Sequence, residues 1–248
     1  MKRYRLLLLF VILVLSAAAC DAILEASDAE APPESADVPY TVSIDPADFV
    51  AVIDNTYFPR IPGARYIYEG QTAEGLERIE IEVLAEPREV MGVPTTVVRD
   101  TVYLDGVLVE DTFDWFAQDG DGNVWYFGEE VANYENGVLA DHDGSWEAGV
   151  DGALPGIVMY ADPATHVGET FRQEYYAGEA EDMAKVLSTT EQITVPFGSF
   201  ENVVQTEDWT PLEPGLREQK YYAPGVGVIK EVNLTTGNDI VLLEMTTP

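Results

Sequence analysis

The chain has 248 residues, of which 45 are acidic and 13 basic, so its formal net charge is −32 at pH 7. Phosphates repel so negative a surface, which excludes nucleic acid as a partner. The charge attracts cations, although adaptation to a saline habitat or simple solubility accounts for it equally well. A single cysteine excludes a disulfide-stapled scaffold, so stability must come from a hydrophobic core.

The first segment, MKRYRLLLLFVILVLSAAAC, has the composition of a secretory signal peptide. Three basic residues precede an unbroken apolar run from Leu6 to Leu15, and small residues then lead to Cys20. The run is too short to cross a bilayer, which takes about 20 residues. Residues 1–19 are therefore predicted to be a signal peptide. Its removal changes the net charge from −32 to −35, because three bases and no acid are lost.

The stretch LSAAAC, which ends at Cys20, resembles the lipobox of bacterial lipoproteins, in which the cysteine is lipidated and becomes the mature N-terminus. Ala17 departs from that motif, which usually has leucine three places before the cysteine. The resemblance implies lipidation of Cys20 and a protein anchored outside the cytoplasm on the bacterial cell membrane. Two or three acyl chains would anchor it stably, since each buried CH2 contributes about 0.8 kcal/mol. Ordinary Ala-x-Ala cleavage beside an incidental cysteine is the alternative.

Residues 20–39 follow with the sequence CDAILEASDAEAPPESADVP, which is rich in acids, alanine, serine and proline. This composition cannot bury a core and predicts a disordered tether. A flexible coil of this length spans on the order of 25 Å, enough to hold a domain away from a membrane. Residues 40–248 remain for a single domain, which is within the range for one all-β unit.

From residue 40 onward, apolar and polar residues alternate in short segments separated by turn residues, the pattern of half-buried strands. Strands are predicted at Ala64–Gln71, Leu76–Ala85, Thr95–Leu104, Val107–Gln118, Asn123–Gly128, Glu169–Tyr176, Lys185–Val195, Phe200–Trp209, Arg217–Ala223, Val226–Leu234 and Asp239–Thr247. Short turns between them require antiparallel pairing. The predicted fold is an all-β, mainly antiparallel meander that curls into a barrel-like or sandwich form. Residues 131–166 have weaker strand signals and are expected to form long loops over one end.

Two segments resemble the first and last parts of the domain in a group of bacterial envelope proteins. They are DNTYFPRIPGARYIYEG, residues 54–70, and YYAPGVGVIKEV, residues 221–232. The resemblance implies an all-β exported domain and no particular activity. The prolines and glycines in both segments are typical of turns beside strands.

The segment QDGDGNVWYFGEE has residues at the spacing of calcium-loop ligands. Asp119, Asp121 and Asn123 occupy the first, third and fifth positions of such a loop. However, Val124 stands where an EF-hand needs glycine, and the flanking segments read as strands rather than helices. A hairpin turn is therefore favoured, and a looser calcium site on these three residues is the alternative.

A second acidic turn, DHDGSW, keeps the calcium hypothesis open. It contains Asp141 and Asp143, and its order of residues echoes that of the first turn. If the two turns met, four aspartates and one asparagine would form an oxygen-rich site for Ca²⁺. With 45 acids in the chain, chance also produces such patterns.

No residue is indicated as catalytic. The two histidines lie apart from each other, and the nucleophile-elbow, zinc-protease and phosphate-loop motifs are missing from the sequence. The predicted function is a non-catalytic binding or structural role at the cell envelope. An envelope protein, or a small apolar ligand held in a curved sheet, is a candidate partner. Hydrolysis by a pair of carboxylates is a further alternative, for which no pair stands out.

Overall fold

The computed structural model describes residues 40–248, so the predicted signal peptide, Cys20 and the tether lie outside the described residues. Within this range the regular structure is β-strand, apart from two short 3₁₀ helices at Pro46–Asp48 and Pro163–His166. The strands are β1 (Phe49–Val50), β2 (Arg65–Gln71), β3 (Leu76–Val83), β4 (Arg88–Val90), β5 (Val93–Leu104), β6 (Val107–Asp119), β7 (Val124–Glu135), β8 (Val138–Asp141), β9 (Trp146–Glu147), β10 (Leu154–Met159), β11 (Thr170–Arg172), β12 (Glu174–Tyr175), β13 (Met183–Val195), β14 (Gly198–Trp209), β15 (Glu218–Ala223), β16 (Gly227–Asn233) and β17 (Asp239–Thr246). Neither helix in the described range is long and apolar enough to cross a membrane.

The strands pair antiparallel into one sheet that nearly closes into a barrel. From β2 the sheet continues through β3, β5, β6 and β7 on one side, and through β17, β16, β15, β14 and β13 on the other. Strand β10 joins the two sides, because it pairs with β7 along one edge and with β12 along the other. Strand β11, which leads into β12, pairs with β13. The predicted all-β, antiparallel and barrel-like fold is confirmed.

The prediction of long loops over residues 131–166 is wrong for much of that region. Strand β7 continues to Glu135, and β8, β9 and β10 follow, so the stretch contributes the strand that closes the barrel. The sequence does not predict β10 because Pro155 and Gly156, which lie within it, are both poor strand formers. Gly156 is needed there because a Cβ at this position would lie 2.5 Å from the carbonyl oxygen of Arg172 on the neighbouring strand.

Residues 53–63, which we call the plug, cover one end of the barrel before the chain enters β2. Phe58 packs edge to face against Phe116 of β6, with 5.2 Å between ring centres. The guanidinium of Arg60 lies 3.8 Å from the centre of the Phe58 ring. The carbonyl of Thr56 accepts a hydrogen bond from the backbone N–H of Gly225 at 2.7 Å. The two segments that resemble envelope proteins are therefore in contact with each other.

Asn55 fixes the plug to the barrel wall. Its side-chain amide donates to the carbonyls of Gly122 at 2.8 Å and Tyr160 at 3.1 Å. Its Oδ1 accepts from the backbone N–H groups of Tyr57 and Phe58. One buried side chain thus satisfies four backbone groups.

Replacing Asn55 by alanine is expected to lower the free energy of unfolding by about 2–4 kcal/mol, because buried donors and acceptors lose their partners. Urea denaturation measures the loss. Asn238→Ala is the matched control, since Asn238 is only partly buried, and its change should stay within about 0.5 kcal/mol. Equal effects of the two substitutions would contradict the role given to Asn55.

Candidate functional site

Asp119 and Asn123 form the turn between β6 and β7, as the hairpin interpretation predicts. One carboxylate oxygen of Asp119 accepts from the backbone N–H groups of Asp121 and Asn123, at 3.0 and 2.9 Å. The other accepts from the Asn123 side chain at 3.0 Å and from Trp125 Nε1 at 2.8 Å. The carboxylate therefore serves as the cap of a turn. It lines an open cleft of about 460 Å³, together with Asp121 and Asp45.

The structure does not bring the second acidic turn to the first. Asp141 lies opposite Asn133, and its Oδ1 accepts from Asn133 Nδ2 at 2.6 Å and from the backbone N–H of Asp143 at 3.1 Å. Asn133 is nine residues along β7 from Val124, which is about 30 Å in a strand. Among residues 40–248, no three His, Cys, Asp or Glu side chains are arranged to hold a metal ion. A looser calcium site on Asp119, Asp121 and Asn123 stays a prediction, and the cage shared with Asp141 and Asp143 does not form.

Two aromatic residues on the outside of the barrel, Trp115 and Phe127, are covered by the chain itself. The guanidinium of Arg88 lies 3.7 Å from the ring centre of Trp115. Phe49 packs edge to face on Phe127 and Trp125, at 5.4 and 6.4 Å between ring centres. These contacts supply the cover that a ligand or partner would otherwise provide on this face.

The barrel interior contains a group of buried carboxylates that the sequence interpretation missed. We call them the acidic belt, and they are Glu77, Asp100, Glu110, Asp114, Glu129, Glu174, Asp182, Asp208, Glu218 and Glu231. Each of these residues is at most 9% exposed. The buried basic side chains in the described range are Arg60 and Lys220. Ten buried carboxylates therefore face two buried cations.

Successive side chains of a strand point to opposite faces of the sheet, and this alternation places the acids inside the barrel. In β5, Asp100 lies between Val98 and Val102, which share its face and belong to the hydrophobic core. The acids lie mainly in the half of the barrel away from the plug, near turns such as residues 72–75 and 105–106. The half nearer the plug is apolar and aromatic.

Three adjacent strands, β3, β5 and β6, carry what we call the anionic wall: Glu77, Asp100, Glu110 and Asp114. Asp100 lies opposite Thr112 of β6, so Glu110 and Asp114 are its two diagonal neighbours on that strand. Such neighbours have Cβ atoms about 7–8 Å apart, within reach of carboxylates that lean together.

Two carboxylates of the anionic wall, those of Asp100 and Asp114, have acceptor capacity that the described residues leave unused. Asp114 Oδ1 accepts from the Tyr126 hydroxyl at 2.7 Å, and Glu110 Oε1 accepts from the Thr112 hydroxyl at 2.9 Å. Asp114 Oδ2 and both oxygens of Asp100 are buried without a hydrogen-bond partner. A buried acceptor without a partner costs about 1–3 kcal/mol, and more when it is charged.

Burial and mutual repulsion raise the pKa of three carboxyls of the anionic wall, those of Glu77, Asp100 and Asp114. Burial raises the pKa of Glu77 to about 7, and the charges of Glu218 and Glu110 act in the same direction. Burial is also the main cause that raises the pKa of Asp114 to about 7, although the hydrogen bond from Tyr126 lowers that pKa. The pKa of Asp100 is raised well above its usual range by burial first and by the charge of Asp114 second.

Across the barrel, strands β14, β15 and β16 carry what we call the lysine wall: Asp208, Glu218, Lys220 and Glu231. Lys220 Nζ lies 3.3 Å from Asp208 Oδ2, and both side chains are almost fully buried. Asp208 also accepts from the Thr206 hydroxyl at 2.5 Å. Burial favours a lower pKa for Lys220, but the carboxylates of Asp208 and Glu231 outweigh it and the pKa is raised. The interior therefore stabilises a charged ammonium group.

Of the three remaining acids of the belt, Glu129 lies in β7, Glu174 begins β12, and Asp182 directly precedes β13. Burial raises the pKa of Glu174 to about 8. Burial, followed by the charge of Glu174, raises the pKa of Asp182 well above its usual range. Four carboxyls of the belt, those of Glu77, Asp114, Glu174 and Glu218, can therefore bind and release protons near neutral pH.

No family model matches this chain, and no curated protein matches it. A candidate exported protein with a YmcC-like fold from Bacteroides fragilis has a similar structure, at 16% sequence identity and a TM-score of 0.41. The match covers 78% of this chain and 100% of that chain. A candidate lipoprotein from Parabacteroides distasonis matches at 14% identity and a TM-score of 0.37, over 77% of this chain and 99% of that one. At such low sequence identity and TM-score, the similarity says nothing about the activity or the location of this chain.

Proposed function

We propose that this protein is anchored by a lipid outside the cytoplasm and binds a cationic small molecule inside its barrel. The observation that carries the binding proposal is the excess of buried carboxylates, ten against two buried bases, together with the unpartnered oxygens of Asp100. Removing a carboxylate from water without a counter-ion costs several kcal/mol. Groups that cost this much without stabilising the fold are typical of functional sites.

The anchoring part of the proposal rests on the N-terminal sequence. Residues 1–19 have the features of a signal peptide, Cys20 ends a lipobox-like stretch, and residues 21–39 have the composition of a tether. A binding domain on such a tether would sample its surroundings while staying at the membrane surface.

The same interior argues against the other candidate ligands. A wholly apolar molecule would leave the carboxylates of Asp100 and Asp114 desolvated and unpaired. A calcium ion needs six to eight oxygen ligands at about 2.3–2.6 Å, and no three acidic side chains of the described range converge in that way. An organic cation requires fewer acceptors and accepts a wider spacing.

The binding proposal is tested on the full-length chain, purified in detergent and unfolded by heat in the presence of butylammonium, choline, calcium or sodium chloride. A ligand of the folded state at 100 times its Kd stabilises that state by about 2.7 kcal/mol. We expect a saturable rise in Tm with an organic cation and a bound mass in native mass spectrometry. A rise that sodium chloride reproduces at equal ionic strength reflects charge screening alone and would refute binding.

Anchoring has its own test. The intact mass of the chain recovered from bacterial membranes is expected to match a polypeptide that begins at Cys20 and carries acyl chains. The variant Cys20→Ala should lose the acyl mass and leave the membrane fraction. A mature chain with an unmodified Cys20 would end the lipoprotein proposal without affecting the binding proposal.

A further inference from the structure

We propose that the group bound in the barrel is a primary ammonium, seated between Asp100 and Asp114 of the anionic wall. The inference rests on the proposed function and names its ligand class and its site. Its starting point is the pair of buried carboxylates with three oxygens that lack a hydrogen-bond partner: both oxygens of Asp100 and Oδ2 of Asp114.

The lysine wall shows which cation this interior accommodates. There an ammonium group, that of Lys220, lies 3.3 Å from the carboxylate of Asp208, and Glu231 and Glu218 also act on its charge. The anionic wall on the other side of the barrel has a comparable set of acids without a lysine. The charge of Arg60 acts on Asp100 from the plug, but its guanidinium stacks on Phe58 and donates to the carbonyl of Pro59 at 3.1 Å.

The number of acceptors also fits an ammonium. A primary ammonium has three N–H donors, and the two carboxylates offer three oxygens without partners. The hydroxyl of Tyr126 holds the fourth oxygen, Asp114 Oδ1, at 2.7 Å and so fixes the orientation of that carboxylate. A quaternary ammonium has no N–H to donate, and a divalent metal needs more ligands than converge here.

Binding of an ammonium is expected to release protons. The charges that face Asp100 are those of Asp114 and Glu110 on β6, Glu77 on β3, and Arg60 in the plug. Burial and the acids raise the pKa of Asp100, which favours its protonated form in the free protein, while Arg60 acts in the opposite direction. Because a bound cation favours the ionised carboxylates, its affinity should rise with pH, by up to about tenfold per pH unit for each proton released.

Isothermal titration of the full-length chain in detergent tests the inference, with butylamine hydrochloride as the probe and butyltrimethylammonium and calcium chloride as comparisons. Butylamine should bind best, and its heat should depend on the buffer because protons are released. Asp100→Asn should weaken binding at least tenfold, since a charge-assisted hydrogen bond contributes about 1.5–3 kcal/mol. Asp111→Asn removes an acid from the outer face of β6, where it pairs with Arg99, and should leave binding unchanged.

The outcomes separate the two proposals. Tighter binding of butyltrimethylammonium, or an unchanged affinity in Asp100→Asn, would overturn the ammonium site and leave the proposed function standing. Tighter binding of calcium would overturn both. Failure of every cation to bind would overturn the proposed function itself. Asp100→Asn keeps the size of the side chain and replaces a carboxyl that is costly to bury, so it should melt at no lower a temperature than the parent chain, and weaker binding will not reflect unfolding. Asp114→Asn serves as the second variant.

Discussion

Replacement of Lys220 by methionine is expected to lower the free energy of unfolding by about 3–5 kcal/mol, the cost of removing one partner from a buried ion pair. Methionine keeps most of the apolar length of the side chain but removes the ammonium. Asp208 then keeps its hydrogen bond from the Thr206 hydroxyl and loses the cation 3.3 Å away, in a place that water does not reach.

The effect is also expected to spread beyond Asp208. The charge of Lys220 holds down the pKa of Glu174, Asp182, Glu218 and Glu231. Without it these carboxyls bind protons more tightly, and the loss of stability should grow as the pH rises. The belt therefore behaves as one coupled group of charges.

Urea denaturation followed by circular dichroism measures the effect of Lys220→Met. Lys230→Met is the matched control, because Lys230 pairs with Asp239 at 2.7 Å on the surface and such pairs contribute about 0–1 kcal/mol. The double variant Lys220→Met with Asp208→Asn should recover part of the loss, since the unpaired charge is then gone. Equal effects at Lys220 and Lys230 would show that the buried pair does not hold the belt together.

Most strands could be predicted from the sequence because local patterns decide them. The turn between β5 and β6 is the clearest case, where Asp105 and Gly106 have φ angles of 48° and 79° and Leu104 lies opposite Val107. Two consecutive positive φ angles are what a tight hairpin turn of this kind requires, and an Asp-Gly pair supplies them.

The acidic belt could not be predicted, because the usual rule about faces fails inside this barrel. In β6, residues Glu110, Thr112 and Asp114 alternate with a set of neighbours that is apolar except for Asp111. Alternation ordinarily sends the more polar set to the solvent. Here it points into the barrel, while Trp115 lies under the side chain of Arg88. Which face lies inside is decided only when the sheet closes. Closure depends on β10, a strand that could not be predicted from its sequence. The signal that could have been recognised is that β5, β6, β14, β15 and β16 each carry an acid among the alternating residues of one face.

Lowering the pH from 8 to 5 is expected to stabilise the folded domain by at least about 3 kcal/mol. Burial raises the pKa of Glu77, Asp114 and Glu218 to about 7 and that of Glu174 to about 8. In the unfolded chain such carboxyls titrate near 4. Between these values the folded state binds more protons than the unfolded state, so its stability is greatest at the acid end and falls as the pH rises through 7 and 8. A shift of two pKa units on one carboxyl corresponds to about 2.7 kcal/mol, and several carboxyls contribute.

Repulsion among the many negative surface charges also makes the protein more stable at lower pH. The effect of the buried carboxyls must therefore be separated from that of the surface charges. Near 1 M salt the screening length is about 3 Å, which suppresses repulsion between exposed charges and affects buried ones much less. The pH dependence of the urea midpoint should therefore persist in high salt. Glu174→Gln should reduce the slope of the urea midpoint against pH, because one fewer carboxyl then takes up a proton. Glu201→Gln changes an exposed residue and should leave that slope unchanged. A stability maximum at pH 8, or a slope that salt abolishes, would mean that the belt is ionised in the folded protein and that its charges are neutralised by some other cation.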